Sequence, residues 1–191
     1  MKKNIGEIIE VSREIYDKGL VSGKSGNISV RLGNAIAITQ TLTSLSSLRE
    51  EDIVLVDMEG NVLTKGTPSS EVNMHLNIYK NRPDVNAIVH THSPYATGFS
   101  FSNKPIKRLE GFGEIKTPYL NSIEYEKPGS NELAVSAGEN IGDEDVLILK
   151  KHGVVCVSDN LKEAMSLAVF VEESAKTQFI TLMLNSVEDS N

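Results

Sequence analysis

The sequence predicts an α/β fold: a sandwich of helices packed on a largely antiparallel sheet. Three features predict it. Short β-branched runs at 28–32, 35–39 and 53–57 are separated by turn residues, the pattern of hairpins. Apolar residues at helical spacing mark both ends of the chain and the stretch after residue 70. Hairpins mixed with flanking helices do not suit the strict strand–helix alternation of a doubly wound parallel sheet.

The elements follow in order. Ile5, Ile8, Ile9, Ile15, Tyr16 and Leu20 define an amphipathic helix over 5–20 that ends near Gly19. The loop Gly23-Lys24-Ser25-Gly26-Asn27 leads into a strand at 28–32, and Gly33-Asn34 turns it into a second at 35–39. Residues 40–50 are rich in Ser and Thr and show no period. A strand at 53–57 turns at Glu59-Gly60-Asn61 and returns through Val62-Leu63-Thr64. Gly66 to Glu71 is a loop that delivers a helix carrying Val72, His75, Leu76 and Tyr79, ended by Arg82-Pro83-Asp84. A short strand at 86–91 precedes a helix at 93–102. Residues 103–128 are the least readable, with a candidate strand at 115–118. Pro128-Gly129-Ser130 caps a helix to about 140, strands at 145–150 and 153–157 flank His152, and Asp159-Asn160 starts a final helix to about 184.

No internal repeat or low-complexity linker divides the 191 residues, so a single domain over 1–191 is expected. A charged fraction of 24% with 39% hydrophobic residues is ordinary globular composition and argues against disorder. The formal charge of −7 gives a nucleic-acid partner no support. The clusters Lys104/Lys107/Arg108 and Lys150/Lys151 read as solvated surface. No apolar run approaches the ~20 residues that span a bilayer, and no signal-peptide core follows Met1, so a cytoplasmic protein with no membrane partner is expected. The one cysteine, Cys156, lies in an apolar run and reads as a small buried hydrophobe.

Four histidines carry the chemical signal: His75, His90, His92 and His152. His90-Thr91-His92 ends a strand-like run, and residues two apart on a strand share a face. Both rings can then reach one ion at about 2.0–2.2 Å, with His152 as the third ligand, at a break where the following Gly153 is expected to let the backbone turn tightly. Three histidines leave a position open for substrate, as catalytic zinc requires. An exposed strand end and a core histidine would give the same spacing. Glu71 stands at a helix start, where a carboxylate is favoured anyway; with His75 it also forms an i, i+4 pair that could bind metal, although the apolar-side position of His75 favours a buried structural role.

In order, Gly26-Asn27-Ile28-Ser29, Gly66-Thr67-Pro68-Ser69-Ser70-Glu71, His90-Thr91-His92-Ser93-Pro94 and Lys151-His152-Gly153 resemble the motifs of the class II aldolase/adducin family. The resemblance covers roughly residues 5–185 and is strongest to its L-fuculose-1-phosphate aldolase branch, compact archaeal-type members included. It implies a three-layer α/β/α sandwich with a mainly antiparallel central sheet, assembled as a homotetramer with active sites at subunit interfaces. It implies one Zn²⁺ per subunit, or Mn²⁺ or Co²⁺ in its place, held by His90, His92 and His152, with Glu71 as a displaceable fourth ligand and the catalytic acid/base. Gly26, Asn27, Thr41, Ser69 and Ser70 match the positions that bind substrate phosphate. The implied reaction is reversible cleavage of a ketose 1-phosphate, such as L-fuculose 1-phosphate, to dihydroxyacetone phosphate and an aldehyde such as lactaldehyde. Pentulose-phosphate 4-epimerisation, methylthioribulose-phosphate dehydration and a non-catalytic adducin-like interaction role are the alternatives within the family. The epimerase branch carries Asp where this chain has Glu71.

Two departures from the family pattern stand out. Leu42 replaces a glycine of the phosphate loop, and its side chain is expected to push that loop away. No tyrosine lies near 106–109 to protonate the aldehyde oxygen; Tyr119 and Tyr125 are the substitutes on offer.

Overall fold

The computed structural model describes residues 2–108 and 117–188. Among the described residues, five α-helices flank one seven-stranded sheet: α1 (Lys2–Asp17), β1 (Asn27–Leu32), β2 (Ala35–Thr39), β3 (Ile53–Asp57), α2 (Val72–Asn81), β4 (Ala87–Thr91), α3 (Pro94–Ser100), β5 (Asn121–Ile123), α4 (Asn131–Asn140), β6 (Val146–Leu149), β7 (Gly153–Ser158) and α5 (Leu161–Glu188). The strand order is β3-β2-β1-β4-β7-β6-β5, and every pairing is antiparallel except β5 with β6.

Alternation along the strands divides the core into two layers. Ile28, Val30, Val89, Val154 and Cys156 face α1, α3 and α5. Ile36, Ile38, Ile88, Val155 and Val157 face the opposite way, against Met74, Leu76 and Ile78 of α2 and Leu133, Ala134 and Ala137 of α4. The result is the three-layer α/β/α sandwich. Cys156 is fully buried and its thiol is pushed up by burial, consistent with a packing role.

Caps set the helix starts. Ser130 Oγ accepts from Leu133 N–H at 3.1 Å, and Asn160 Oδ1 from Glu163 N–H at 3.0 Å, as Ser130 and Asp159-Asn160 predict. Helix α3 is capped from another helix. Pro94 has no N–H to satisfy, and the next two, of Tyr95 and Ala96, both donate to the buried Glu172 carboxylate of α5 at 2.9 Å.

Several expectations change. The Ser/Thr-rich segment holds two 3₁₀ turns, Leu45–Ser47 and Glu50–Asp52. The return strand at 62–64 is reduced to one bridge between Val56 and Val62. The candidate strand at 115–118 begins outside the described residues; the chain instead pairs Tyr119 with Lys107 and then forms β5. Arg108 is not solvated surface: it is buried in ion pairs with Glu144 and, at 3.1 Å, Asp145. Among the described residues no helix is long and apolar enough to cross a membrane.

Candidate metal centre and active site

The centre lies at one end of the three adjacent strands β1, β4 and β7. Register places Asn27 of β1 opposite His90 of β4, and His90 opposite Val155 of β7. His92 follows β4 directly, and His152 directly precedes β7. The turn into β7 works differently from the sequence expectation. Lys151, not Gly153, takes the left-handed backbone, with φ of 58°. Gly153 is needed for space: a Cβ there would collide with the Thr91 carbonyl oxygen and lie 3.2 Å from the His90 ring. A second close approach occurs at Gly26, where φ is +78° and a Cβ would lie 2.9 Å from the His90 carbonyl oxygen.

Glu71 completes the group from the N-cap position of α2. Its side chain makes no capping bond. The carboxylate turns to the histidines instead, with Oε2 3.2 Å from His90 Nε2 and Oε1 3.3 Å from His152 Nε2. His92 Nε2 lies 2.9 Å from His90 Nε2. One donor atom from each of Glu71, His90, His92 and His152 falls within 4.8 Å of the others, a group that could hold one metal ion. Its chemistry fits a divalent cation. The His90 Nδ1–H donates to the Val154 carbonyl at 2.9 Å, which leaves Nε2 facing the group. Three neutral imidazoles and one carboxylate would then meet the ion.

Electrostatics point the same way. Burial opposes a charge on His90, but Glu71 and the Val154 carbonyl raise its pKa all the same, and the ring protonated at both nitrogens donates through Nε2 to the carboxylate. Burial alone would raise the Glu71 pKa, but His90 and His152 and the hydrogen bonds from His90 and Asn27 hold it well below the usual carboxylate range, and a cation at the group would take the place of the Nε2 proton. Burial, with His90 adding to it, pushes His92 down to about 3 and His152 down to about 4, so both are unprotonated at neutral pH. His75 is not in the donor group. It is fully buried behind Asn27, and both ring nitrogens are taken, by Asn27 Oδ1 at 2.6 Å and Ser29 Oγ at 2.7 Å.

A cavity of about 240 Å³ opens beside the group and is lined by Gly26, Asn27, Thr41, Ser69 and Ser70, together with Glu71, His92 and His152. All five residues singled out for phosphate therefore meet in one place. Ser69 Oγ accepts from the Glu71 N–H at 3.2 Å, leaving its own proton to donate into the cavity.

Residues 6–179 match the family model for the class II aldolase and adducin N-terminal domain. The chain belongs to this family. A relative named L-fuculose phosphate aldolase, from Methanocaldococcus jannaschii, is 42% identical over 178 residues, 93% of this chain and 97% of that protein. A 3-oxo-tetronate 4-phosphate decarboxylase from Haemophilus influenzae is 35% identical over 182 residues, covering 90% of this chain and 85% of that protein. The crystal structure of L-fuculose-1-phosphate aldolase from Thermus thermophilus superposes with a TM-score of 0.85 at 25% identity, over 97% of this chain and 99% of that one.

Against the class II aldolase pattern, Leu42 behaves otherwise than expected. It adopts φ of 57°, the conformation glycine takes freely, and its side chain is 73% exposed at the cavity rim. The substitution is absorbed as backbone strain, with the bulk turned outward. Neither Tyr119 nor Tyr125 lines the cavity. Lys24 and Gln40 do, and the sequence reading passed over both. Lys24 places a cation among hydroxyls and amides, and its position inside the Gly23–Gly26 loop was the available signal.

Proposed function

We propose that this class II aldolase family member is a metal-dependent aldolase that reversibly cleaves a ketose 1-phosphate, such as L-fuculose 1-phosphate, to dihydroxyacetone phosphate and an aldehyde such as lactaldehyde. The observation that carries the proposal is the Glu71 carboxylate, released from capping α2 and placed between His90 and His152 at the mouth of a hydroxyl-lined cavity. His90, His92, His152 and Glu71 would hold Zn²⁺, with Mn²⁺ or Co²⁺ as substitutes. When bound, the ion supplies Lewis-acid stabilisation of negative charge on substrate oxygens.

The chain's own groups do the rest. Gly26, Asn27, Thr41, Ser69 and Ser70 bind the phosphate through hydroxyls, a side-chain amide and backbone N–H groups, with Lys24 adding charge. In cleavage, the hydroxyl oxygen on the aldehyde-side carbon of the scissile bond gives its proton to solvent, the carbon–carbon bond breaks as that oxygen becomes the carbonyl, and the aldehyde departs. The electron pair stays on the dihydroxyacetone phosphate carbon, and Glu71, having taken a proton from solvent, delivers it there. In synthesis Glu71 removes that proton, a task for which its ionised form is required.

The 35% identical decarboxylase favours one rival: loss of CO₂ from a 3-oxo acid phosphate, which also leaves an electron pair next to a carbonyl. A panel of ketose 1-phosphates and 3-oxo acid phosphates separates the two. Release of dihydroxyacetone phosphate that stops with chelation and returns with zinc is the expected result. CO₂ release alone, with no dihydroxyacetone phosphate, overturns the aldolase reading.

A further inference from the structure

We propose that His75 is a positioning residue: with Ser29 and Tyr79 it locks the side-chain amide of Asn27 in the one orientation that presents N–H to Glu71. The proposal rests on Glu71 being the working carboxylate. An amide of this kind has two orientations that differ by exchanging oxygen and nitrogen, and its neighbours decide between them. Here the neighbours decide it completely.

The deduction starts at Glu71. An ionised carboxylate accepts and cannot donate, so the Asn27 atom 2.8 Å from Glu71 Oε2 is Nδ2. Asn27 Oδ1 then faces His75 Nε2 at 2.6 Å, and two acceptors cannot share that contact, so Nε2 carries the proton. A neutral ring has one proton, which makes Nδ1 the acceptor for Ser29 Oγ–H at 2.7 Å. The Tyr79 hydroxyl lies 2.9 Å from Ser29 Oγ and 3.0 Å from the Ser29 carbonyl, and its proton, shared between these two acceptors, leaves the Ser29 proton for His75. Every group in this hydrogen-bonded series is buried, Glu71 being the most open at 6% exposure. Reversing the amide would set Asn27 Oδ1 against the carboxylate and leave donor facing donor at His75.

The same residues explain why β1 is polar on its α2-facing side. Asn27, Ser29 and Arg31 alternate along the strand, Arg31 stacking 4.7 Å from the Tyr79 ring and donating to the Tyr79 carbonyl. Helix α2 therefore supplies Glu71 at its start and, one and two turns later, His75 and Tyr79, which hold that carboxylate's hydrogen-bond donor from behind. Neither His75 nor Tyr79 lines the cavity, so neither is a catalytic residue.

The direct test is ¹⁵N NMR of zinc-loaded protein labelled in histidine and asparagine. The expected spectrum has His75 protonated at Nε2, unprotonated at Nδ1, and unchanged from pH 8 to pH 5.5. A ring protonated at Nδ1, or averaging between the two forms, overturns the proposal. In His75→Phe, exchange of the Asn27 side-chain amide protons should accelerate at least ~10-fold while the β4 backbone amides keep their protection. His75→Gln, which offers one donor and one acceptor, should restore it; unchanged Asn27 exchange in His75→Phe overturns the proposal. For dihydroxyacetone phosphate release, His75→Phe should lower kcat ~10-fold or more at little-changed KM and lose nothing further in an Asn27→Ala background. Additive losses would mean that His75 acts independently of Asn27. If the wild type releases no dihydroxyacetone phosphate, the aldolase reading fails, while the two spectroscopic results still judge the role of His75.

Discussion

Glu71 occupies a helix N-cap position with a side chain that leaves the cap unmade and faces the histidines. At this scale Glu71→Gln keeps the shape and one oxygen donor but cannot carry a proton between carbon and solvent. It should retain zinc and lose at least ~10²-fold in kcat, the low end for a general acid/base. Metal content by atomic absorption beside turnover checks both halves. Gly153→Ala tests space rather than chemistry, because its methyl group must displace Thr91 or the His90 ring. A loss of about 1–3 kcal/mol in urea unfolding is expected for such overpacking, with weakened zinc retention in a chelator competition. His75 gives a pH prediction. Burial, with His90 adding to it, pushes it down to about 3 from an ordinary 6.5. Between those values the unfolded chain binds a proton that the folded chain refuses, so its contribution is complete above pH 6.5 and is lost as pH falls toward 3. From pH 7 to pH 5, metal-free wild type should therefore lose more stability in urea than His75→Gln does; equal losses would contradict the assignment.

At the scale of elements, the helices and hairpins were legible because their periods are local: α1, α2, α4 and α5 begin or end within a few residues of their sequence signals. What was not legible is set by tertiary contact. Strand β5 spans only Asn121–Ile123 and exists because β6 pairs with it in parallel, a partner that no local pattern announces. The polar alternation Asn27, Ser29, Arg31 reads as a solvated strand face, yet α2 covers it. Helix α3, seven residues long, depends on the Glu172 carboxylate 77 positions beyond Tyr95. Glu172→Ala should leave two N–H groups without their acceptor and lower stability by about 1–3 kcal/mol in thermal or urea unfolding. Spacing alone left His90, His92 and His152 open between a metal group and an exposed strand end beside a core histidine, and the family motifs carried the choice; the structure brings the three together with Glu71, while Gly153 was noticed for the wrong physical reason. Leu42 was noticed too, but its outward turn depends on a backbone angle that a residue name does not reveal. Because a left-handed Leu costs about 1–2 kcal/mol, Leu42→Gly should raise stability by up to about 1 kcal/mol after the added entropy of the unfolded glycine.

Across the whole molecule, the sheet joins two cores of different character. The layer under α1, α3 and α5 is largely apolar, aliphatic with Phe99 and several aromatics at its margin, and supports β4 from behind. The layer under α2 and α4 carries, at its β1 edge, the polar chain that ends at Glu71. Metal group and cavity thus sit where three strands, α2 and the loop before it converge, so a change in any one of them reaches the site. The C-terminal half of α5 exposes Phe179, Ile180, Met183 and Leu184. This face suits burial between copies in the homotetramer that the family resemblance implies, and light scattering should then give about four times the mass of the 20.9 kDa chain. The central claim is narrower: Glu71, beside a metal held by three histidines, moves a proton on the carbon of dihydroxyacetone phosphate that bears the free hydroxyl. Proton NMR in D₂O, with dihydroxyacetone phosphate and no aldehyde, isolates that step. The zinc-loaded protein should exchange one proton of that carbon for deuterium, and chelation or Glu71→Gln should stop it. Exchange that continues undiminished in Glu71→Gln, or its absence from zinc-loaded wild type, would contradict the claim.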